Sequence, residues 1–298
     1  MAGMTTVLDP IILGHNPFFG VDHLSRDRIP ARHAEAGDLT AVLDRICLAS
    51  ELGAGGLMLP SGDQANPLLD MLRSETDLKQ RLNIYPQIPH AGQLGARSAE
   101  RGMVRTVLDL LREAGIRGAA SLATGGTTAL ITRDITRLLR TLINLELARF
   151  EGLHIPAVFL HPVFTDLALG LGSETIVRTY IDHMVSHTTM RPAFCTLNLP
   201  LLCARFNEWS LEMPLTMTAI NAAGYRMNPS QLACEHILRH LEGPVAAMMI
   251  LAGGQIPPEK AVDYVLQFDS VKSVIIGASA PIHIRQSVGL IQQRLRDR

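Results

Sequence analysis

The sequence predicts an α/β fold, a (β/α)8 barrel formed as one domain over residues 1–298. Short apolar segments alternate with amphipathic helical patterns along the chain, as in the βα units that build a parallel sheet. About eight such units fit into 298 residues, and no linker-like stretch separates them. The competing fold, an open doubly wound sheet, lacks its usual marks, because no G-x-G-x-x-G follows the first strand and no Walker loop occurs.

The first half of the chain supplies three clear strands. We predict strands at residues 11–14, 56–60 and 83–88, and helices at 39–52, 67–82 and 98–114. Pro86 weakens the third strand, because proline cannot donate to a ladder. Residues 118–123 are either a weak strand or a connection, so the count is eight strands without them and nine with them.

The second half supplies five more strands. We predict them at residues 154–161, 192–197, 215–220, 245–251 and 271–276. A long helix is expected at 132–150, and Ser173 is expected to cap the next one. Pro229 is expected in the first turn of a later helix, and Pro257 with Pro258 begins another.

Composition excludes several classes of function. The chain is 47% hydrophobic and 18% charged, with a formal net charge of −1, so neither a nucleic-acid nor an anionic-membrane binder is expected. Residues 1–13 have no basic n-region and no long apolar h-region, so no signal peptide is expected, and no apolar run is long enough to predict a membrane span. The four cysteines lack C-x-x-C spacing and are expected to be free thiols. We therefore expect a cytoplasmic homo-oligomer whose partner is a small-molecule substrate.

The ends of the predicted strands carry the candidate catalytic residues. The strongest is His161, which ends an apolar run and is followed by a proline that stops the strand. In a parallel barrel this end carries the active site. Histidine titrates near neutral pH, so His161 is the candidate acid/base, and Asp63, His90 and His15 are its candidate partners. The candidate substrate-binding residues share this location: Asn16, Ser61, Gln87, Asp166, Asn198, Asn221 and Tyr225.

Three absences narrow the chemistry. None of the three lysines follows a strand, which disfavours a Schiff base and pyridoxal phosphate. No H-x-H or H-E-x-x-H occurs, so no metal site is predicted. No G-x-S-x-G elbow is present, which disfavours a covalent hydrolase. The residues favour non-redox acid/base chemistry, of the isomerase or lyase type, on a small polar or anionic metabolite. A catalytically inactive barrel with a binding or regulatory role is the alternative from another class.

The last strand suggests an anion site. Gly277, Ala278 and Ser279 form a turn that opens the C-terminal helix, and Arg285 lies nearby. Free backbone N–H groups at a helix N-terminus favour phosphate, and barrels often bind phosphate at their final strands. These four residues are the candidate cofactor- or phosphate-binding group, although ordinary helix capping explains the same pattern.

Residues 154–290 resemble the aldo-keto reductase superfamily, most clearly in the segments 243–254 and 273–281. The resemblance implies a TIM barrel, NADP(H) as a cofactor and a catalytic Asp-Tyr-Lys-His tetrad. His161 matches the histidine, whereas Pro60 and Ala65 stand about where the Asp and Tyr are expected. Gln87 or a neighbour replaces the Lys.

The loss of the tyrosine removes the family's proton donor. A second hypothesis is therefore an NADP(H)-dependent oxidoreductase with a rebuilt proton donor. Tyr85 and Tyr225, both near strand ends, are the candidate replacements.

Overall fold

The computed structural model describes residues 8–19, 38–90, 128–277 and 280–298, and it confirms the predicted barrel. Eight parallel strands pair in chain order, and β1 pairs with β8 to close the ring. The strands are β1 Ile11–Leu13, β2 Gly56–Pro60, β3 Asn83–Ile88, β4 Ala157–Leu160, β5 Arg191–Thr196, β6 Leu215–Ala219, β7 Val245–Met248 and β8 Val271–Ile276. The extra strand considered at 118–123 lies outside the described residues.

Helices follow most strands and cover the outside of the barrel. They are α1 Leu39–Glu51, α2 Asn66–Ser74, α3 Thr76–Arg81, α4 Thr128–Ala148, α5 Pro162–Gly170, α6 Glu174–His187, α7 Leu199–Glu208, α8 Gln231–His240, α9 Pro258–Leu266 and α10 Pro281–Arg296. Five of them, α2, α5, α7, α9 and α10, have proline in the first two positions, where the missing N–H costs no hydrogen bond.

Several predicted helix boundaries were wrong. The helix predicted at 67–82 is two helices, because Glu75 has a non-helical backbone between α2 and α3. Helices α5 and α7 were not predicted, since each begins directly after a strand end. Ser230 caps α8, so Pro229 lies before the helix rather than in its first turn. Ser173 precedes α6 but makes no capping hydrogen bond.

Alternation along the strands creates two apolar layers. On β4, Val158 and Leu160 pack outward against the helices, whereas Ala157 and Phe159 pack inside the barrel. The same period of two fills the interior from the other strands, as expected for a pleated strand. The interior cluster comprises Leu8, Ile12, Met58, Tyr85, Ala157, Phe159, Ala193, Cys195, Leu215, Met217, Ala246 and Ile275.

Polar contacts hold the N-terminal end of the barrel together. The Tyr85 hydroxyl donates to Asp9 Oδ2 at 2.7 Å, and Asn83 Nδ2 donates to the same oxygen at 2.8 Å. His154 Nδ1 lies 2.6 Å from Asn83 Oδ1. The Tyr85 ring fits because residue 56 is glycine: a Cβ there would lie 2.6 Å from the ring. This network ties the segment before β1 to β3.

Within the described ranges, no helix is long and apolar enough to cross a membrane.

Tyr85→Phe should lower the free energy of unfolding by about 1.5–3 kcal/mol, the usual contribution of a hydrogen bond to a charged group. The phenyl ring keeps the packing, so the loss reports on the bond to Asp9. Urea denaturation measures it, with Tyr225→Phe as the matched control. Equal stability of both variants would show that the Asp9 bond contributes nothing.

Candidate active site

His161 lies at the C-terminal end of β4 and joins the strand to α5. Its backbone N–H donates to Ile88 O at 2.7 Å, which extends the pairing between β3 and β4 by one residue. By the alternation that turns Ala157 and Phe159 inward, residue 161 has the inward parity. The strand thus brings this side chain to the mouth of the barrel, the C-terminal end where its loops emerge.

The local hydrogen bond of His161 fixes its tautomer. The side chain is the N-cap of α5, and Nδ1 accepts the N–H of Val163 at 3.2 Å. An imidazole nitrogen that accepts a hydrogen bond carries no proton, so the neutral ring has its proton on Nε2. Within the described residues, no hydrogen bond occupies Nε2. His161 therefore offers one N–H donor at the mouth.

The pKa of His161 is lowered to about 4, mainly by burial and to a smaller extent by the neighbouring His90. Removing an imidazolium from water disfavours the charged form. The ring is consequently neutral near pH 7. It is suited to donating a hydrogen bond, and poorly suited to exchanging a proton at that pH.

His90 lies two residues beyond β3. Its ring packs over Gly62, where an added Cβ would lie 2.6 Å from the ring carbons. Burial lowers the pKa of His90, while the carboxylates of Glu146 and Asp63 raise it and Arg149 lowers it. His90 is the candidate partner whose charge acts on His161.

Asp63 does not orient His161, contrary to one of the sequence hypotheses. Its carboxylate accepts a hydrogen bond from Arg149 at 2.6 Å, and its side chain is 87% exposed. Arg149 also donates to Asn66 Oδ1 at 3.2 Å. Asp63 therefore lies at the outer surface, in the segment that follows β2. Its charge still raises the pKa of His90.

Asp166, a candidate substrate-binding residue, has both carboxylate oxygens engaged within the protein. One carboxylate oxygen accepts the hydroxyl of Thr196, and the other accepts the N–H of Leu197 at 3.0 Å. The Thr196 hydroxyl in turn accepts the N–H of Asn198 at 2.9 Å. These hydrogen bonds connect Asp166, on α5, to the C-terminal end of β5. Burial raises its pKa, and these two hydrogen bonds oppose that shift.

The candidate substrate-binding amides have structural partners. Asn198 caps α7 by accepting the N–H of Leu201 at 3.1 Å. Asn221 is fully buried, and its side chain bonds both backbone groups of Tyr225, at 2.8 and 2.9 Å. Gln87 follows Tyr85 with the inward parity, and its side chain lowers the pKa of the Cys195 thiol, which burial raises. Of the three, only Gln87 faces the barrel interior.

The remaining candidates lie at three other strand ends. His15 and Asn16 follow β1, and the His15 ring is 6.1 Å from that of Phe19. Ser61 follows β2, fully buried, and its hydroxyl has no hydrogen-bond partner among the described residues. Tyr225 follows β6, half-buried, with the Arg226 guanidinium 5.5 Å from its ring.

The predicted anion group is described in part. Gly277 is exposed after β8, and Arg285 is exposed near the start of α10. Ala278 and Ser279 lie outside the described residues. The α10 N-cap, Ala280, makes no side-chain capping bond, and the first turn holds no acidic residue.

Sequence reasoning missed Cys195, Glu146 and Arg149. Cys195 lies in an apolar run that predicts only core, and the other two lie on or just after a helix of no functional pattern. No group of three potential metal ligands comes together in the part of the chain that the structure describes.

This mouth and the eight strands that pair in chain order define the class of fold as a (β/α)8 barrel. No protein-family model matches the sequence, and no curated protein matches it. Solved structures do. One, from Pseudomonas aeruginosa and described as an aldo-keto reductase, has a TM-score of 0.60 at 18% identity and covers 96% of this chain and 90% of its own.

Two further structures were solved with a nicotinamide cofactor. An aldo-keto reductase from Klebsiella pneumoniae in complex with NADPH has a TM-score of 0.54 at 12% identity, covering 97% of this chain and 89% of its own. One from Bombyx mori in complex with NADP has a TM-score of 0.53 at 10% identity, covering 94% and 83%. The chain is similar to these proteins in fold.

The acid stability of the protein should depend on His161. Its folded pKa is about 4 and its unfolded value is 6.5, so the unfolded chain binds a proton between these values that the folded protein does not. Its contribution is therefore present above pH 6.5 and is lost as the pH falls toward 4.

His161→Asn keeps an N-cap acceptor and should reduce the loss of stability between neutral pH and about pH 4.5. Urea denaturation at several pH values measures the loss, with His240→Asn, on the exposed end of α8, as the control. The buried neutral ring would be disproved by equal pH dependence in His161→Asn and the wild type.

Proposed function

We propose that this chain is a divergent aldo-keto reductase, an NADP(H)-dependent oxidoreductase acting on a carbonyl of a small polar or anionic metabolite. His161 would orient the carbonyl oxygen at the mouth of the barrel. The non-redox acid/base hypothesis is less well supported, because His161 stays neutral near pH 7 and does not exchange a proton there.

The observation that carries the proposal is the Nε2–H of His161. Nδ1 accepts the Val163 N–H, and the pKa of the ring is about 4, so Nε2 stays a neutral donor near pH 7. A neutral N–H donor binds and polarises a carbonyl oxygen as negative charge develops on it. An isomerase or lyase of the acid/base type needs a group that changes protonation near the working pH, which this ring does not do.

The residues present fit a nicotinamide cofactor at its phosphate end. Helix α10 has 16 residues, no side-chain cap and no acidic residue in its first turn, so the positive end of its dipole favours an anion. Arg285 is exposed close to them. When bound, NADPH would supply a hydride to the carbonyl carbon. The NADP(H) complexes of the Klebsiella and Bombyx proteins, similar in fold, support this choice.

Of the two tyrosines considered as proton donors, Tyr85 is unsuitable. Its hydroxyl donates to Asp9 Oδ2 at the N-terminal end of the barrel, away from His161. Two further tyrosines are also engaged: Tyr180 donates to Val158 O, and Tyr264 donates to Glu235. Tyr225 is the remaining tyrosine on the side of the barrel that carries the mouth.

The test combines cofactor binding with turnover. NADPH should quench protein fluorescence with a Kd below about 1 mM, the range of usual enzyme affinities. Aldehydes such as 4-nitrobenzaldehyde should be reduced with loss of NADPH absorbance. His161→Asn should keep NADPH binding and lower kcat/KM by roughly 10²–10³-fold, as for other oxyanion donors.

His240→Asn is the matched control and should change neither quantity. A wild-type protein that fails to bind NADPH at about millimolar concentration overturns the proposal. Cofactor binding with no reduction of any carbonyl would instead favour the inactive barrel with a binding role.

A further inference from the structure

Two pairs of histidines lie about one helical turn apart in this chain. His183 and His187 lie on α6, and His236 and His240 lie on α8. Residues four apart face the same side of a helix, and two histidines with this spacing can hold one metal ion between them. The spacing alone does not decide which pair does so, because the ring nitrogens must also be accessible and must point to a common position.

The pair on α6 belongs to the contact between α4 and α6. The His183 ring is buried, and its Nε2 lies 2.7 Å from Asn144 Oδ1 on α4. His187 Nδ1 lies 3.2 Å from His183 O. The two rings stack, with centroids 4.5 Å apart and planes inclined by 24°. The nitrogen lone pairs of stacked rings lie in nearly parallel planes and do not converge, so this pair is unsuited to holding one ion.

The pair on α8 differs in each of these respects. His236 and His240 are both exposed, and neither ring forms a hydrogen bond with a described residue. Their centroids lie 5.1 Å apart, and their planes are inclined by 64°. Metal–nitrogen bonds of about 2.0–2.1 Å in tetrahedral coordination place two imidazole centroids about 5 Å apart. The separation on α8 therefore matches that of two rings bound to one ion.

The fold directs the α8 pair toward solvent. Cys234 and Leu238, each two residues before one of these histidines, are buried on the face that α8 packs against the protein. Two residues correspond to a rotation of about 200° around a helix, so His236 and His240 lie on the opposite face. An ion bound there requires no opening of the core, and its remaining coordination positions are accessible to water.

The charges around the α8 pair also favour a cation. His240 is the last residue of α8, and the carbonyl groups of a final helical turn carry partial negative charge. The neighbouring cation, Arg239, extends toward a buried ring: its guanidinium lies 5.3 Å from the centroid of Phe268. Arg239 also lies 3.9 Å from Glu235 Oε2, whose carboxylate offsets its charge.

We propose that His236 and His240 form a surface site for one divalent transition-metal ion of the class that imidazole ligands suit, which includes Ni²⁺, Cu²⁺ and Zn²⁺. Each ring supplies one nitrogen lone pair, and water completes the coordination. Mg²⁺ and Ca²⁺ prefer oxygen ligands and are excluded from this class. The site lies on the exposed face of α8, and it does not depend on the proposed reduction of a carbonyl.

Calorimetric titration of Ni²⁺ into the full chain, freed of metal with EDTA, tests the site. His236→Gln and His240→Gln should each weaken one Ni²⁺-binding event of the wild type by roughly 10²-fold, because the second bond of a chelate forms within one molecule. His187→Gln is the matched control, since it removes an exposed histidine of the same spacing, and it should leave the titration unchanged. Excess Mg²⁺ should not compete with Ni²⁺.

Proton NMR of the imidazole rings locates the ion independently. Substoichiometric Ni²⁺, which is paramagnetic, should broaden the ring signals of His236 and His240 before those of His183 and His187. The signals are assigned by their loss in the single variants.

Several results would overturn the site. They are Ni²⁺ binding that is unchanged in either His236→Gln or His240→Gln, an equal loss in His187→Gln, and no binding to the wild type at about 1 mM Ni²⁺. Binding that weakens in only one of the two α8 variants also rejects the chelate, because the other histidine then contributes nothing. None of these outcomes bears on the reductase proposal, which NADPH binding tests separately.

Discussion

Pairing of β1 with β8 closes the ring, and the whole arrangement of the mouth depends on that closure. In this pairing Ile11 lies opposite Val274 and Leu13 lies opposite Ile276, so the first and last strands lie side by side. Because all strands are parallel, their carboxyl ends then face the same side. Side chains far apart in sequence, such as Cys195 on β5 and Met248 on β7, contact each other for this reason, with 4.0 Å between their sulfur atoms.

Within this frame, one short hydrogen-bonded turn defines the chemistry of His161. Proline at 162 ends the strand and begins α5, and the free N–H of Val163 is then satisfied by the His161 ring. The same bond that caps the helix fixes the tautomer, so a structural role and a chemical role are held by one residue. Burial completes the effect by keeping the ring neutral.

The fold could be predicted because strand and helix periods are local properties of the sequence. Val271–Ile276 matches its predicted strand, and Pro86 is accommodated within β3. The position of the candidate site could be predicted, because the carboxyl ends of all the strands lie at one end of the barrel. The contacts between its side chains could not be predicted. Asp63 pairs with Arg149, 86 residues away, and Asp166 with Thr196, 30 residues away. The sequence alone made Asp63 a candidate partner of His161 and Asp166 a candidate substrate-binding residue, because neither pairing is visible in the local pattern.

The central claim is that His161 presents a neutral Nε2–H donor at the mouth of the barrel. Nitrogen-15 NMR of the imidazole rings at pH 7, assigned by comparison with His161→Asn, tests it most directly. The account predicts that His161 is neutral with its proton on Nε2 and the unprotonated nitrogen at Nδ1. A ring protonated on both nitrogens, or on Nδ1 alone, would contradict it.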